Sequence, residues 1–184
     1  MSARPGTAHV ADTAQGPAGS LLDSGEINLL NRLGYLAAER GDLKHAEPIL
    51  AGVIAMRPNR AAGHIGLAFA AMSAGQGSRA IAVFENLRPP VPSLSALWRR
   101  TAAPDDTAAD APDRFAPHER VALDVHHAVM LHAVGRQAEG EQIVSAIQWD
   151  NVPAQDADGQ PLDPALRRLA DVLTNKTTAN ARSR

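Results

Sequence analysis

Residues 34–59 read GYLAAERGDLKHAEPILAGVIAMRPN. A run of small and apolar residues halts at Gly-Asp, a second apolar run follows, and a proline closes it. Upstream, Ile27, Leu30, Leu33 and Ala37 recur at steps of three and four, which predicts one buried helical face. Gly41 then suits the left-handed residue that ends a helix, and Asp42 can cap the next one. The second run carries Ala46, Ile49, Leu50, Val53 and Ile54 as its apolar positions. Pro48 lies past the first turn of that run, so it is expected to remove one backbone hydrogen bond and bend the helix. The stretch therefore predicts two antiparallel helices joined by a tight turn.

The same unit returns 34 positions later. Leu33 falls on Leu67, Ala37 on Ala71, Gly41 on Gly75, Ala46 on Ala80 and Pro58 on Pro92. Between these identities, Gly34 meets Ala68, Leu50 meets Phe84 and Val53 meets Leu87, so size and apolar character are kept. A fixed period of this length is the mark of a repeat array, in which each unit buries its apolar face against its neighbours.

The pattern resembles the tetratricopeptide repeat. Counting from Ile27, the family's large apolar, Leu, Gly and Ala positions fall on Leu30, Leu33, Gly34 and Ala37. Its turn glycine, inter-helix alanine, later apolar positions and final proline fall on Gly41, Ala46, Leu50, Val53 and Pro58. The resemblance implies an all-α solenoid of helical hairpins with repeats at 27–60 and 61–94. A third repeat begins in frame with Trp98 and Ala102 and breaks at Pro104, and the pattern restarts around Val121. Aligning Gly135 with the turn glycine gives a degenerate unit over 121–154, with Ala128, Leu131, Val144 and Ile147 near family positions. Here Gly140 replaces the inter-helix alanine and Asp124 occupies a large apolar position. Leu162 to Leu173, with Leu166, Leu169 and Val172, is expected to be a helix capping the last repeat.

Composition divides the chain further. Residues 1–22 are mostly Ala, Gly, Pro, Ser and Thr and are expected to form a disordered arm before a helical domain over 23–175. Residues 95–120 are rich in Pro and Asp and are expected to form a long loop, and the polar residues 176–184 a disordered tail. Aromatic residues make up only 3% of the sequence, so the core must rest on Ala, Leu, Val and Ile, which suits closely packed helices. A net charge of -2 offers no basic stripe for nucleic acid, and no apolar run is long enough to span a bilayer. No cysteine is present, which removes thiolate chemistry and disulfides and fits a reducing, cytoplasmic location.

Ligands of the family lie along a concave face lined by the first helix of each pair. The resemblance places on it Asn28, Asn31, Tyr35 and Ala38, then Ala62, Ile65, Phe69 and Met72, then Ala122, Val125, Val129 and His132. Members that grip anionic chaperone tails carry Lys, Arg and Asn there; here only Asn31 fits that set, while Tyr35, Gly66, Ala122 and His126 occupy the other positions. An apolar or amphipathic segment of a partner protein is the expected ligand. The apolar groove, size and neutral-to-acidic charge are similar to the bacterial type III secretion chaperones, which hold export substrates before secretion. Self-association through the same face, giving a homodimer or an assembly adaptor, is the alternative.

No catalytic residue, cofactor or metal site is expected. His126, His127 and His132 lack the four-residue spacing that puts two ligands on one helical face. The Asp residues between 105 and 113 lack the spacing and glycine of a calcium loop. Arg99 and Arg100 read as a solvated face, Trp98 as an anchor for the long loop, and His64 as a packing residue. Phe69 and Met72 weigh evenly between core and ligand contact, and Tyr35 is favoured for contact because its hydroxyl needs a partner.

Overall fold

The computed structural model describes residues 22–87, 115–155, 159 and 161–181, and of residues 175–181 the backbone alone. The helices are α1 (Ser24–Glu39), α2 (Leu43–Met56), α3 (Ala61–Ser73), α4 (Gly77–Glu85), α5 (Pro117–Ala133), α6 (Gln137–Ser145) and α7 (Pro164–Ala181), with a 3-10 turn at Trp149–Asn151. Among the described residues β-pairing is limited to one isolated bridge, Gln155 to Pro161. The fold is an all-α, tetratricopeptide-like array of hairpins α1/α2, α3/α4 and α5/α6, with α7 packed on the last.

Each hairpin turns the same way for the same reason. Gly41, Gly75 and Gly135 take φ of +70°, +74° and +85°, a region that side chains with a Cβ resist. The following amide reaches back to close the helix: Asp42 N to Ala37 O at 2.9 Å, Gln76 N to Ala71 O at 2.8 Å, and Arg136 N to Leu131 O at 2.8 Å. Asp42 then accepts from His45 N at 3.3 Å, capping α2 as expected. The start of α1 is fixed by a reciprocal cap, in which Glu26 N donates to Asp23 Oδ1 and Asp23 N to Glu26 Oε2, both at 2.8 Å. Pro48 sits inside α2 without interrupting it. Buried Ala46, Leu50 and Val53 hold this helix, and the exposed proline leaves its missing bond on the solvent side.

Small residues set how closely the layers approach. A Cβ on Gly34 or on Gly66 would lie 2.7 Å from Leu50 Cδ2, so fully buried Leu50 occupies a socket between α1 and α3. The substitution of Gly140 for the family's alanine has a like cause. A Cβ there would meet His132 Cδ2 at 2.6 Å and the Ala128 carbonyl at 2.9 Å.

The third unit differs from expectation at both ends. Helix α5 begins at Pro117, four residues ahead of Val121, so residues 117–120 leave the expected loop. Helix α6 ends at Ser145, and the chain then turns through Trp149–Asn151 toward α7. Helix α7 continues to Ala181, so residues 176–181, expected in the tail, are helical. It buries Ala170 and Leu173 with Val121, Val125, Ala128 and Val144, the capping role expected of it. The expectations for residues 1–21, Trp98, Arg99, Arg100 and the Asp residues between 105 and 113 lie outside the described residues.

Candidate protein-binding face

The residues assigned to the concave face do not all reach a surface. Asn28 and Ala62 are exposed, while Asn31, Tyr35, Phe69, Met72, Ala122, Val129 and His132 are half-buried. Ala38 is buried in the α1–α2 core. Ile65 is only 7% exposed, in a cluster that also holds Phe115 and Leu123, and Val125 is 0% exposed within the α5–α7 cluster. Ile65 and Val125 therefore serve the core, because a residue from the connecting segment and the capping helix bring apolar cover that the repeat pattern alone does not contain.

Tyr35 and Phe69 stack with ring centroids 6.3 Å apart at 28°. The Tyr35 hydroxyl donates to the Ala62 carbonyl at 3.0 Å, so its expected partner lies within the chain. Burial pushes this phenol up to about 12 from 10.0. Beside it, Asn31 Oδ1 is buried and accepts no hydrogen bond, which leaves unused acceptor capacity on α1. Met72 lies toward the turn end of α3, where an added Cβ on Gly77 would sit 3.9 Å from Met72 Sδ and 2.7 Å from Val134 Cγ1. Val134 is 39% exposed there, which carries the apolar strip across to the third hairpin.

The histidines address different neighbours. His126 Nδ1 lies 2.7 Å from the Ala122 carbonyl of its own helix, His127 stacks on Phe84 at 5.2 Å, and His132 packs over Gly140. His64 meets the Phe115 ring edge-on at 5.6 Å and approaches the Pro58 carbonyl at 3.2 Å, a packing role. A recess of about 380 Å³, with Leu131 and Ile143 among its lining residues, opens between α4, α5 and α6. Glu85, Asp124, His127, Arg136 and Glu139 line it, and Glu139 binds Arg136 through two hydrogen bonds at 2.7 and 2.6 Å.

Two residues that position the face were missed in the sequence. Arg60, at the N-cap of α3, provides no side-chain cap. Instead Glu119 of α5 accepts from Ala61 N at 2.6 Å and from Arg60 Nη1 at 3.0 Å, placing a carboxylate on the positive end of α3. Phe115 precedes α5 and inserts into the core beside His64. The available signal was negative: a helix start with no Ser, Thr, Asp or Asn at its cap asks for a remote acceptor.

Residues 37–103 match the family model of the tetratricopeptide repeat. The matched segment runs from the last three residues of α1 past the end of α4 and takes in the two turns at Gly41 and Gly75. It supports the tetratricopeptide superfamily, whose repeats are in general protein-binding and non-enzymatic scaffolds. No curated protein and no solved structure matches the chain. No helix among the described residues is long and apolar enough to cross a membrane.

Proposed function

We propose that this tetratricopeptide-like chain holds an apolar or amphipathic segment of another protein along the face of α1 and α3, as a chaperone for a type III secretion export substrate. The observation that carries the binding mode is the chemistry of what stays open there. Phe69 and Met72 are half-buried apolar side chains of α3, Ala62 is exposed at the start of the same helix, Val129 is half-buried on α5 against the α5–α7 cluster, and Asn28 and Asn31 stand on α1. Where relatives place Lys, Arg and Asn for an anionic tail, Asn31 alone keeps the pattern, Tyr35, Gly66, Ala122 and His126 stand at the other positions, and the Tyr35 hydroxyl is already engaged. An apolar strip with the exposed Asn28 amide on the neighbouring helix favours a ligand whose side chains fill pockets and whose backbone meets a few polar groups. The secretion role is supported by the apolar groove, the size and the charge that the chain shares with those chaperones. Binding would lower the free concentration of an aggregation-prone segment by mass action.

The test begins with co-purification from native lysate and identification of the bound protein by mass spectrometry. The segment recovered is then titrated against the wild-type chain and against Phe69→Glu and Met72→Glu. Each variant is expected to weaken binding by at least about tenfold, with helical circular dichroism unchanged. Wild-type affinity in both variants would overturn the groove, and a captured protein with no link to secretion would overturn the chaperone assignment.

A further inference from the structure

A second apolar surface lies away from the concave face. Leu29, Leu33 and Leu36 of α1 are 58%, 44% and 43% exposed. Among the described helices α1 contacts α2 and α3 alone. At helical spacing the three leucines form one stripe about 60° wide, on the side of α1 roughly opposite Asn31 and Tyr35.

The period of 34 shows what these positions do elsewhere. Their equivalents are Gly63, Leu67 and Ala70, and all three are turned toward the preceding hairpin. A Cβ on Gly63 would lie 2.9 Å from Ile54 Cγ1, while Leu67 and Ala70 join the cluster of Ala38, Ala46 and Leu50. The leucine stripe is thus the stacking face of the solenoid, open at its α1 end. Repeat arrays close such ends with a polar cap, and α7 caps the opposite end here. Between hairpins, Gly63 and Ala70 are small enough to let helices close up, whereas leucines at the same positions provide ridges for contact with another helix.

We propose that a second copy of this chain covers the stripe, by antiparallel two-fold pairing of α1 with α1. Charge selects the orientation. Glu26 lies seven residues before Leu33 and Arg40 seven after, both exposed and both on the stripe. A two-fold axis at Leu33 sets each Glu26 opposite the Arg40 of the other copy, while parallel pairing would oppose Glu26 to Glu26. The cap at Asp23 uses Glu26 Oε2 and leaves Oε1 for such a partner. The N-terminal arm is a poorer occupant, since residues 1–21 contain only Met1, Val10 and Leu21 as large apolar side chains. A pair of 16-residue helices buries less than the ~800 Å² per partner of a standard interface, so the dimer is weak and concentration-dependent.

Sedimentation equilibrium on the full chain, from micromolar to millimolar concentration, tests this independently of the groove. A reversible monomer–dimer equilibrium is expected, with Leu33→Glu raising the dissociation constant at least about tenfold and leaving helical content unchanged at this exposed site. Because the chain has no cysteine, single substitutions report the register. Leu33→Cys, at the axis, should form a disulfide-linked dimer on oxidation. Leu29→Cys should not, since its counterpart is displaced by about 12 Å along the helices. A monomer at every concentration, a dimer indifferent to Leu33→Glu, or equal cross-linking at both positions would each overturn the proposal.

Discussion

Leu50 and Tyr35 show how single residues join two repeats. Leu50 fills the space that Gly34 and Gly66 leave open, and Tyr35 lies over Gly66, where an added Cβ would come within 3.0 Å of the ring. The phenol is then held by the Ala62 carbonyl, so a residue expected to meet a ligand becomes a strut between α1 and α3. Burial between the two helices governs its titration. The folded value is raised to about 12 from 10.0, so the folded chain keeps the proton more tightly than the unfolded chain. The stabilisation from this group is fully present below the unfolded value and is lost as pH rises through the folded one. Tyr35 is the sole tyrosine, so ultraviolet absorbance should place its midpoint near 12, and Tyr35→Phe should remove the loss of stability between pH 10 and 12. The lost hydrogen bond should lower stability by about 1 kcal/mol in urea unfolding at neutral pH.

At the scale of elements, what a short window of sequence contains was legible, and what arrives from far along the chain was not. The helix stops at Gly41, Gly75 and Gly135 need one residue type in one backbone conformation, so the repeated glycine sufficed to find them. The cap on the start of α3 and the cover over the Ile65 cluster come from Glu119 and Phe115, whose partners lie more than 50 residues away and outside any periodic signal. Repeat number places Val125 on the concave face, whereas α7, which belongs to no repeat, draws it into the core. Glu119 offers a direct measure of such long-range fixing. It accepts from Ala61 N where Arg60 supplies no cap, so Glu119→Ala should cost about 1–2 kcal/mol in urea denaturation. Arg60→Ala should cost less than about 1 kcal/mol, because the ion pair it removes is part-exposed at 39% and leaves the amide bond intact.

For the whole molecule the decisive joint is between the second and third hairpins, where residues 86–116 separate α4 from α5 in sequence. Phe84 is 2% exposed at this joint and stacks on His127 of α5, in a cluster that also includes Phe115, Leu123 and Leu131. Arrays of repeats unfold together only while the contacts between units outweigh the instability of each unit alone. Removing the Phe84 ring should cost about 3–5 kcal/mol and act mainly on that coupling. Trp149 reports the third hairpin, since it packs in the α5–α7 cluster with Arg167 lying 5.5 Å over its ring. In a Trp98→Phe background, which leaves Trp149 as the only indole, fluorescence and helical circular dichroism should follow one denaturation curve. With Phe84→Ala added, the fluorescence transition should move to lower denaturant while part of the helical signal persists to a higher midpoint. Coincident curves in that variant would mean that the three hairpins are coupled through contacts other than the Phe84 joint.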